Sequence, residues 1–230
     1  MCLCSNSACR AKGGIILKQR RFAAFGILAP FVYAFAVILG GAMWRGYNHI
    51  SRFVSDLIGS GAPNTWLLIP LFGLYNLLVL GFGLGLYLEA PAGDNPRKRV
   101  GAAGAIVLLL QGLFGALTLF FPEDPVGTQI TMVGTLHIAM AGLSSIATMG
   151  CMLLLGLWFR GREVTKNLGV YSLISVGFVF VTGGLTAALG AAGHSPVIGL
   201  LERLTIGGFL QWLFVTAVVL PGASEVTNNA

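Results

Sequence analysis

Apart from the basic loops and the N-terminal cysteines, the side chains that could bind or react fall in four places. His49, Arg52, Ser55 and Asp56 share one stretch, Asp124 stands in a second, His137 in a third, and His194, Glu202 and Arg203 in a fourth. Imidazoles and carboxylates together are ligands for a divalent metal such as Zn, and a metal held by three of them activates water for hydrolysis. His49, His137, His194 and Glu202 are the set such a centre would draw on, with Asp56 and Asp124 as further carboxylates. No H-x-x-x-H or H-E-x-x-H pair is present, so each ligand would come from a different segment. The same groups suit a second role without covalent chemistry: Arg45 or Arg52 can receive an anionic headgroup and Glu202 a cationic one. A third reading is structural, in which these groups satisfy one another as the polar cap of an assembly protein. The non-enzymatic binder of lipid or a small ligand, needing no cofactor, is the leading expectation; the metal-dependent intramembrane hydrolase and the structural protein are its alternatives.

The elements that position these residues follow from composition. The chain has 230 residues, 56% of them hydrophobic and 10% charged, with a mean hydropathy of +0.84. A helix needs about 20 apolar residues to cross the hydrocarbon core of a bilayer. Runs of that length occupy roughly 22–43, 66–88, 100–121, 131–158, 169–190 and 200–220. No run alternates with period two, and unpaired strands would leave backbone groups unsatisfied in lipid. The expected fold is therefore all-α: a multi-pass bundle of six transmembrane helices over 22–220, between a basic tail at 1–21 and a short tail at 221–230.

The 14 Lys and Arg residues set the expected orientation. Arg10, Lys12, Lys18, Arg20 and Arg21 precede the first span, Arg97, Lys98 and Arg99 lie in the second connection, and Arg160, Arg162 and Lys166 in the fourth. Arg45, Arg52 and Arg203 alone fall on the other side. Basic residues accumulate in cytoplasmic loops, which predicts a cell-membrane protein with both termini in the cytoplasm. The net charge of +6 is thus topological, and these short loops without interleaved aromatics point to no nucleic-acid partner.

Residues 48–64 form the longest polar interruption outside the tails. Ile50, Phe53, Val54, Leu57 and Ile58 recur at helical spacing, with His49, Arg52 and Asp56 on the opposite face, which predicts a short interfacial helix in the outer first loop. Gly59, Gly61 and Pro63 end it. In the third connection Glu123 and Asp124 stand between two prolines, a rigid turn in which both carboxylates are expected to be hydrated. His137 lies roughly 9 Å into the fourth span at 1.5 Å per residue, where an ionisable group must face the bundle or a cavity. Ala141, Ser144, Ser145 and Thr148 continue its face. Glu202 is expected to point inward with Thr205, Phe209 and Thr216, while Arg203, about 100° away, snorkels toward lipid phosphate. Gln111 and Thr118 on the third span, and Ser172, Ser175 and Thr182 on the fifth, complete a thin polar seam. Pairing of Asp56, His137 and Glu202 with one another would remove the cost of burying each alone.

Two further motifs carry plainer readings. Cys2, Cys4 and Cys9 could bind a metal or take a palmitoyl chain, but no His or second C-x-x-C accompanies them, so inert thiols are expected. The first apolar run is too long for a signal peptide and lacks a small-residue cleavage site, so an uncleaved span is expected. Gly81 and Gly85 on the second span, and Gly101, Gly104, Gly112 and Gly115 on the third, are expected to admit close helix approach rather than to bind phosphate.

Three ordered motifs together carry a family resemblance. They are an H-x-x-S-D-L-x-G-x-G-A-P pattern, matched with variations from His49 to Pro63; F-P-x-D with a following His (Phe121, Pro122, Asp124, His137); and G-L-x-E-R from Gly199 to Arg203. With six spans, the chain resembles the bacterial and archaeal membrane family called domain of unknown function 998 over nearly its whole length. That family is distantly similar to the Frag1/DRAM/Sfk1 membrane proteins, tied to lipid organisation and autophagy. The resemblance implies the fold and the outer motif residues and no reaction; membrane lipids and a small molecule are the partners expected.

Overall fold

The computed structural model describes residues 6–90, 96–125, 127–193 and 195–229, with side chains between Arg21 and Pro221. Helix α1 spans Asn6–Met43, α2 Thr65–Glu89, α3 Pro96–Leu117, α4 Met132–Arg160, α5 Lys166–Ala191 and α6 Ile198–Asn229. Short 3-10 turns occupy Ser55–Ile58, Thr118–Phe120 and Glu163–Thr165, and no strand occurs among the described residues. Six segments are long and apolar enough to cross a membrane, one on each of these helices, and those of α3 and α5 take in the adjoining 3-10 turn. This is the structure lipid permits, because a helix satisfies its backbone within the segment. Helix α1 begins 15 residues ahead of its apolar segment, so residues 6–20 extend the first span as helix.

Each helix packs on its sequence neighbours and α6 packs back on α1, so the six close a ring. The ends of the helices joined by the first, third and fifth connections share one end, the loop end; Glu89 and Pro96, Arg160 and Lys166 and the described outer ends of α1 and α6 lie opposite. At the far end the interior is filled. Trp212, Phe159, Leu155, Met152 and Leu168 form one buried cluster, and the Trp212 indole donates to Ser172 Oγ at 2.8 Å while Ser172 donates to the Leu168 carbonyl. Ser172 is therefore a tie between α5 and α6. A second cluster beneath the first loop joins Val54, Leu57 and Ile58 to Val37, Leu68 and Phe72.

Glycines set the closeness of the ring. Gly81 and Gly85 of α2 receive rings rather than backbone, since a Cβ at either would strike Phe25 or Phe22 of α1, while Gly83 lies against Leu109 of α3. Those of α3 split between two neighbours, Gly101 and Gly104 against Trp158 and Leu155 of α4, Gly112 and Gly115 against Leu80 and Asn76 of α2. Helices α4 and α5 meet tightly at the far end, where Gly156 abuts Ser172 and Gly169 abuts Arg160. Toward the loop end they diverge. A Cβ on Gly142 of α4, or on Gly184 of α5, would meet nothing within 4 Å.

The first loop departs from the expected interfacial helix. Only Ser55–Ile58 is helical, as one 3-10 turn, and Ile50 is exposed while Val54, Leu57 and Ile58 are buried. The reason lies in the partners of the main chain. Ile50 O accepts from Leu200 N at 2.9 Å, Arg52 O from the Arg203 guanidinium at 2.8 Å, and Val54 N donates to the Glu202 carboxylate. Groups committed to α6 cannot also close helical turns. Gly61, at φ 81°, then turns the chain toward α2 in a conformation that other residues adopt rarely.

A cavity with an acidic head

The space inside the loop-end half of the ring is a cavity of about 970 Å³. It sits near the top of the about 300–1,000 Å³ range of small-molecule sites. Its walls are largely apolar, with Tyr33, Phe72, Tyr75, Met149, Val179 and Phe209 facing it. Its loop end carries Ser55, Glu123, His137 and Glu202. Ile138 and Phe180, 55% and 66% exposed, line it as well. They stand on α4 and α5, so the cavity reaches the surface where those two helices diverge. The flanking interfaces are in contact at this level: Gln111 bonds Ser144 between α3 and α4, and Gly183 abuts Thr205 between α5 and α6.

His137 is 5% exposed on the first turns of α4. Its Nδ1 lies 2.7 Å from the Phe121 carbonyl. A carbonyl only accepts, so Nδ1 carries the hydrogen. Nε2 is left facing Glu123 Oε2 across 4.0 Å. Glu123 is therefore part of the cavity head and not the hydrated turn residue expected. Ser55 faces the same cavity head, and the main-chain oxygen of Glu123 accepts from Ser60 N at 2.8 Å. Burial pushes the Glu123 carboxyl above its ordinary 4.5; Ser55 and His137 oppose that shift, and Asp56 and Asp124 add to it.

Asp124 has the role that adjacency concealed. It accepts from Thr131 N at 2.7 Å and Thr131 Oγ1 at 3.0 Å, while Thr131 Oγ1 accepts from Gly134 N and so caps α4. A side chain on Gly134 would collide with the Asp124 carboxylate. Asp124 thus builds the helix end that presents His137.

Glu202 and Arg203 divide as consecutive helical residues must, but Arg203 does not reach for lipid phosphate. Its Nη1 donates to the carbonyls of Arg52 and Gly199, both at 2.8 Å, and its Nη2 to the Tyr47 hydroxyl at 2.6 Å. Tyr47 in turn donates to the Phe53 carbonyl. Fixed carbonyls at hand satisfy the guanidinium better than a mobile headgroup. Burial lifts the Tyr47 phenol to about 12, so it remains a donor at neutral pH.

Asp56 is paired with Arg52 across 3.7 Å, and its carboxyl lies above the ordinary 3.8 because burial outweighs that arginine. Arg52 also covers the Trp44 ring at 4.6 Å. His49 stands edge-on to Tyr47 on the exposed side of the loop, lowered from 6.5 by partial burial and by Arg203. The structure therefore brings Ser55, Glu123, His137 and Glu202 to one cavity, and leaves His49, Arg52 and Asp56 in the loop that covers it, with Arg203 of α6 holding that loop. His194 and Cys2 and Cys4 lie outside the described residues. Among the described residues no three His, Cys, Asp or Glu side chains come together as a metal site. Asn76 and Tyr33 were not expected here. An Asn in the middle of an apolar span is itself a cue, since such a residue seeks a partner or a cavity.

The family described as "Protein of unknown function (DUF998)" matches residues 27–219. No curated protein and no solved structure matches the chain.

Proposed function

We propose that this chain, which belongs to the DUF998 family and crosses the membrane as a multi-pass protein, is a non-enzymatic receptor for a membrane amphiphile. The observation that carries this reading is the opening of the 970 Å³ cavity between α4 and α5. An apolar cavity open sideways admits a molecule that already resides in lipid, without passage through water. Its polar head then meets Ser55, Glu123, His137 and Glu202, and its chain lies against Met149, Val179, Phe180 and Phe209. Binding, presentation or transfer of a lipid all begin with this step. The basic residues concentrated at the far end support a cytoplasmic position for both termini, so the cavity head faces away from the cytoplasm.

The test uses Gly142 and Gly184, where added side chains meet open space rather than a neighbour. Lipid retained by the purified protein is quantified by mass spectrometry for the wild type and for Gly142→Trp with Gly184→Trp. Retention by the wild type and its loss in the double variant, with melting temperature unchanged, is the expected result. Equal retention in both, or none in the wild type, overturns the proposal.

A further inference from the structure

Three buried polar atoms on residues that line the cavity have no partner, and all three are acceptors. Asn76, 3% exposed, donates Nδ2 to the Phe72 carbonyl and leaves Oδ1 unpaired; Gln111, 5% exposed, donates Nε2 toward Ser144 and leaves Oε1 unpaired. Glu123 Oε2 is a third such atom. Four hydroxyls on the wall spend their hydrogens on main-chain oxygens, Thr118 on Gly115, Ser145 on Ala141, Thr186 on Thr182 and Thr205 on Leu201, which leaves the phenols of Tyr33 and Tyr75 as donors of the wall. Two carboxylates line the head, and no Lys or Arg lines the cavity among the described residues. The nearby cations are committed, Arg203 to the loop and Arg52 to Asp56 and Trp44. His137 faces Glu123 but already uses Nδ1 on Phe121. A buried acceptor without a donor is costly, so the occupant that fits supplies N–H donors and positive charge.

We propose that the amphiphile carries a protonated amine head, seated between Glu123 and Glu202, with its hydrogens also answering the acceptors of Asn76 and Gln111. This rests on the cavity being a lipid site. A quaternary ammonium brings the charge without the hydrogens, and a carboxylate brings neither, so the site orders the three classes.

The experiment titrates the full chain in maltoside micelles with dodecylamine, dodecyltrimethylammonium, laurate and neutral monolaurin, read by native mass spectrometry. Dodecylamine is expected to bind most tightly, about tenfold or more above laurate, with the quaternary amine between them. Glu123→Gln, and separately Gln111→Leu, weaken dodecylamine by roughly tenfold, the loss of one charge-assisted or buried hydrogen bond, and weaken neutral monolaurin less than dodecylamine. Gln111→Leu keeps the test open should Glu123→Gln misfold. Laurate binding as tightly as dodecylamine, or both variants leaving dodecylamine unchanged, overturns the amine assignment while monolaurin binding lost in Gly142→Trp upholds the cavity. Failure of all four probes to bind overturns both.

Discussion

Arg203 on α6 donates to the main-chain oxygen of Arg52, 151 residues earlier in the chain and 2.8 Å away, and that bond holds the first loop over the cavity head. Gly199 is the floor of the same contact, since a Cβ there would collide with the Arg52 carbonyl. Two substitutions therefore lift the loop by different routes. Arg203→Gln removes a charged donor with three acceptors and is expected to cost about 2–4 kcal/mol, at roughly 1.5–3 kcal/mol for a hydrogen bond to a charged group. Arg203→Lys recovers part of this because an ammonium cannot fork to carbonyl and phenol together. Gly199→Ala costs roughly 1–3 kcal/mol by overpacking. Thermal unfolding in detergent measures all three, and wild-type melting in Arg203→Gln would show that the loop is held elsewhere.

Glu123 gives a pH dependence of definite sign. Its carboxyl lies above the ordinary 4.5, chiefly through burial, so the folded chain holds this proton more tightly than the unfolded one. The favourable contribution is present at low pH and is lost as the pH rises through the raised value. Asp56, raised from 3.8, acts in the same sense, whereas His49, lowered from 6.5, disfavours the fold below that value and is relieved above it. Glu123→Gln imitates the protonated acid. It is expected to melt higher than the wild type at neutral pH, with the difference closing as the pH falls toward 4.5. A difference that is constant with pH, or of opposite sign, contradicts the assignment.

Asp124 is expected to behave unlike its neighbour. Asp124→Ala releases Thr131 and uncaps α4, costing roughly 0.5–2 kcal/mol, without changing dodecylamine selectivity. Melting and binding on the same sample separate the two carboxylates. A selectivity change in Asp124→Ala would place this side chain in the cavity head.

Orientation is checked from single cysteines. With Cys2, Cys4, Cys9 and Cys151 replaced, Ser60→Cys in the exposed first loop should react with an impermeant reagent on intact cells, and Glu163→Cys at the far end should not. The reverse pattern inverts the protein in the membrane.

The spans were legible because lipid leaves the backbone one economical choice and the apolar runs are long enough to declare it. His137 and Glu202 were legible as inward groups because an ionisable side chain in such a run has few places to go. Glu123 and Asp124 were not separable. Adjacent residues in a Pro-flanked turn present opposite directions, and the choice between them is made by Thr131 capping α4 and by Ser55 arriving from another loop. The first loop shows the converse failure. Its apolar residues recur at helical spacing, but Leu200, Glu202 and Arg203 claim the backbone groups a helix would use, a tertiary competition that no local pattern records.

That competition has a consequence for how the loop can diverge. Helix α6 grips Ile50, Arg52 and Val54 at alternate residues through O, O and N–H, groups that nearly every amino acid supplies. The grip reads the course of the main chain and uses no side-chain atom at 50 or 52, although the Arg52 side chain has its own partners in Asp56 and Trp44. Proline at 54 is the exception, having no hydrogen to give Glu202. A library randomised at 50 and 52 should thus yield many folded members that differ in the face they turn to water, while one randomised at 199, 202 and 203 should yield few.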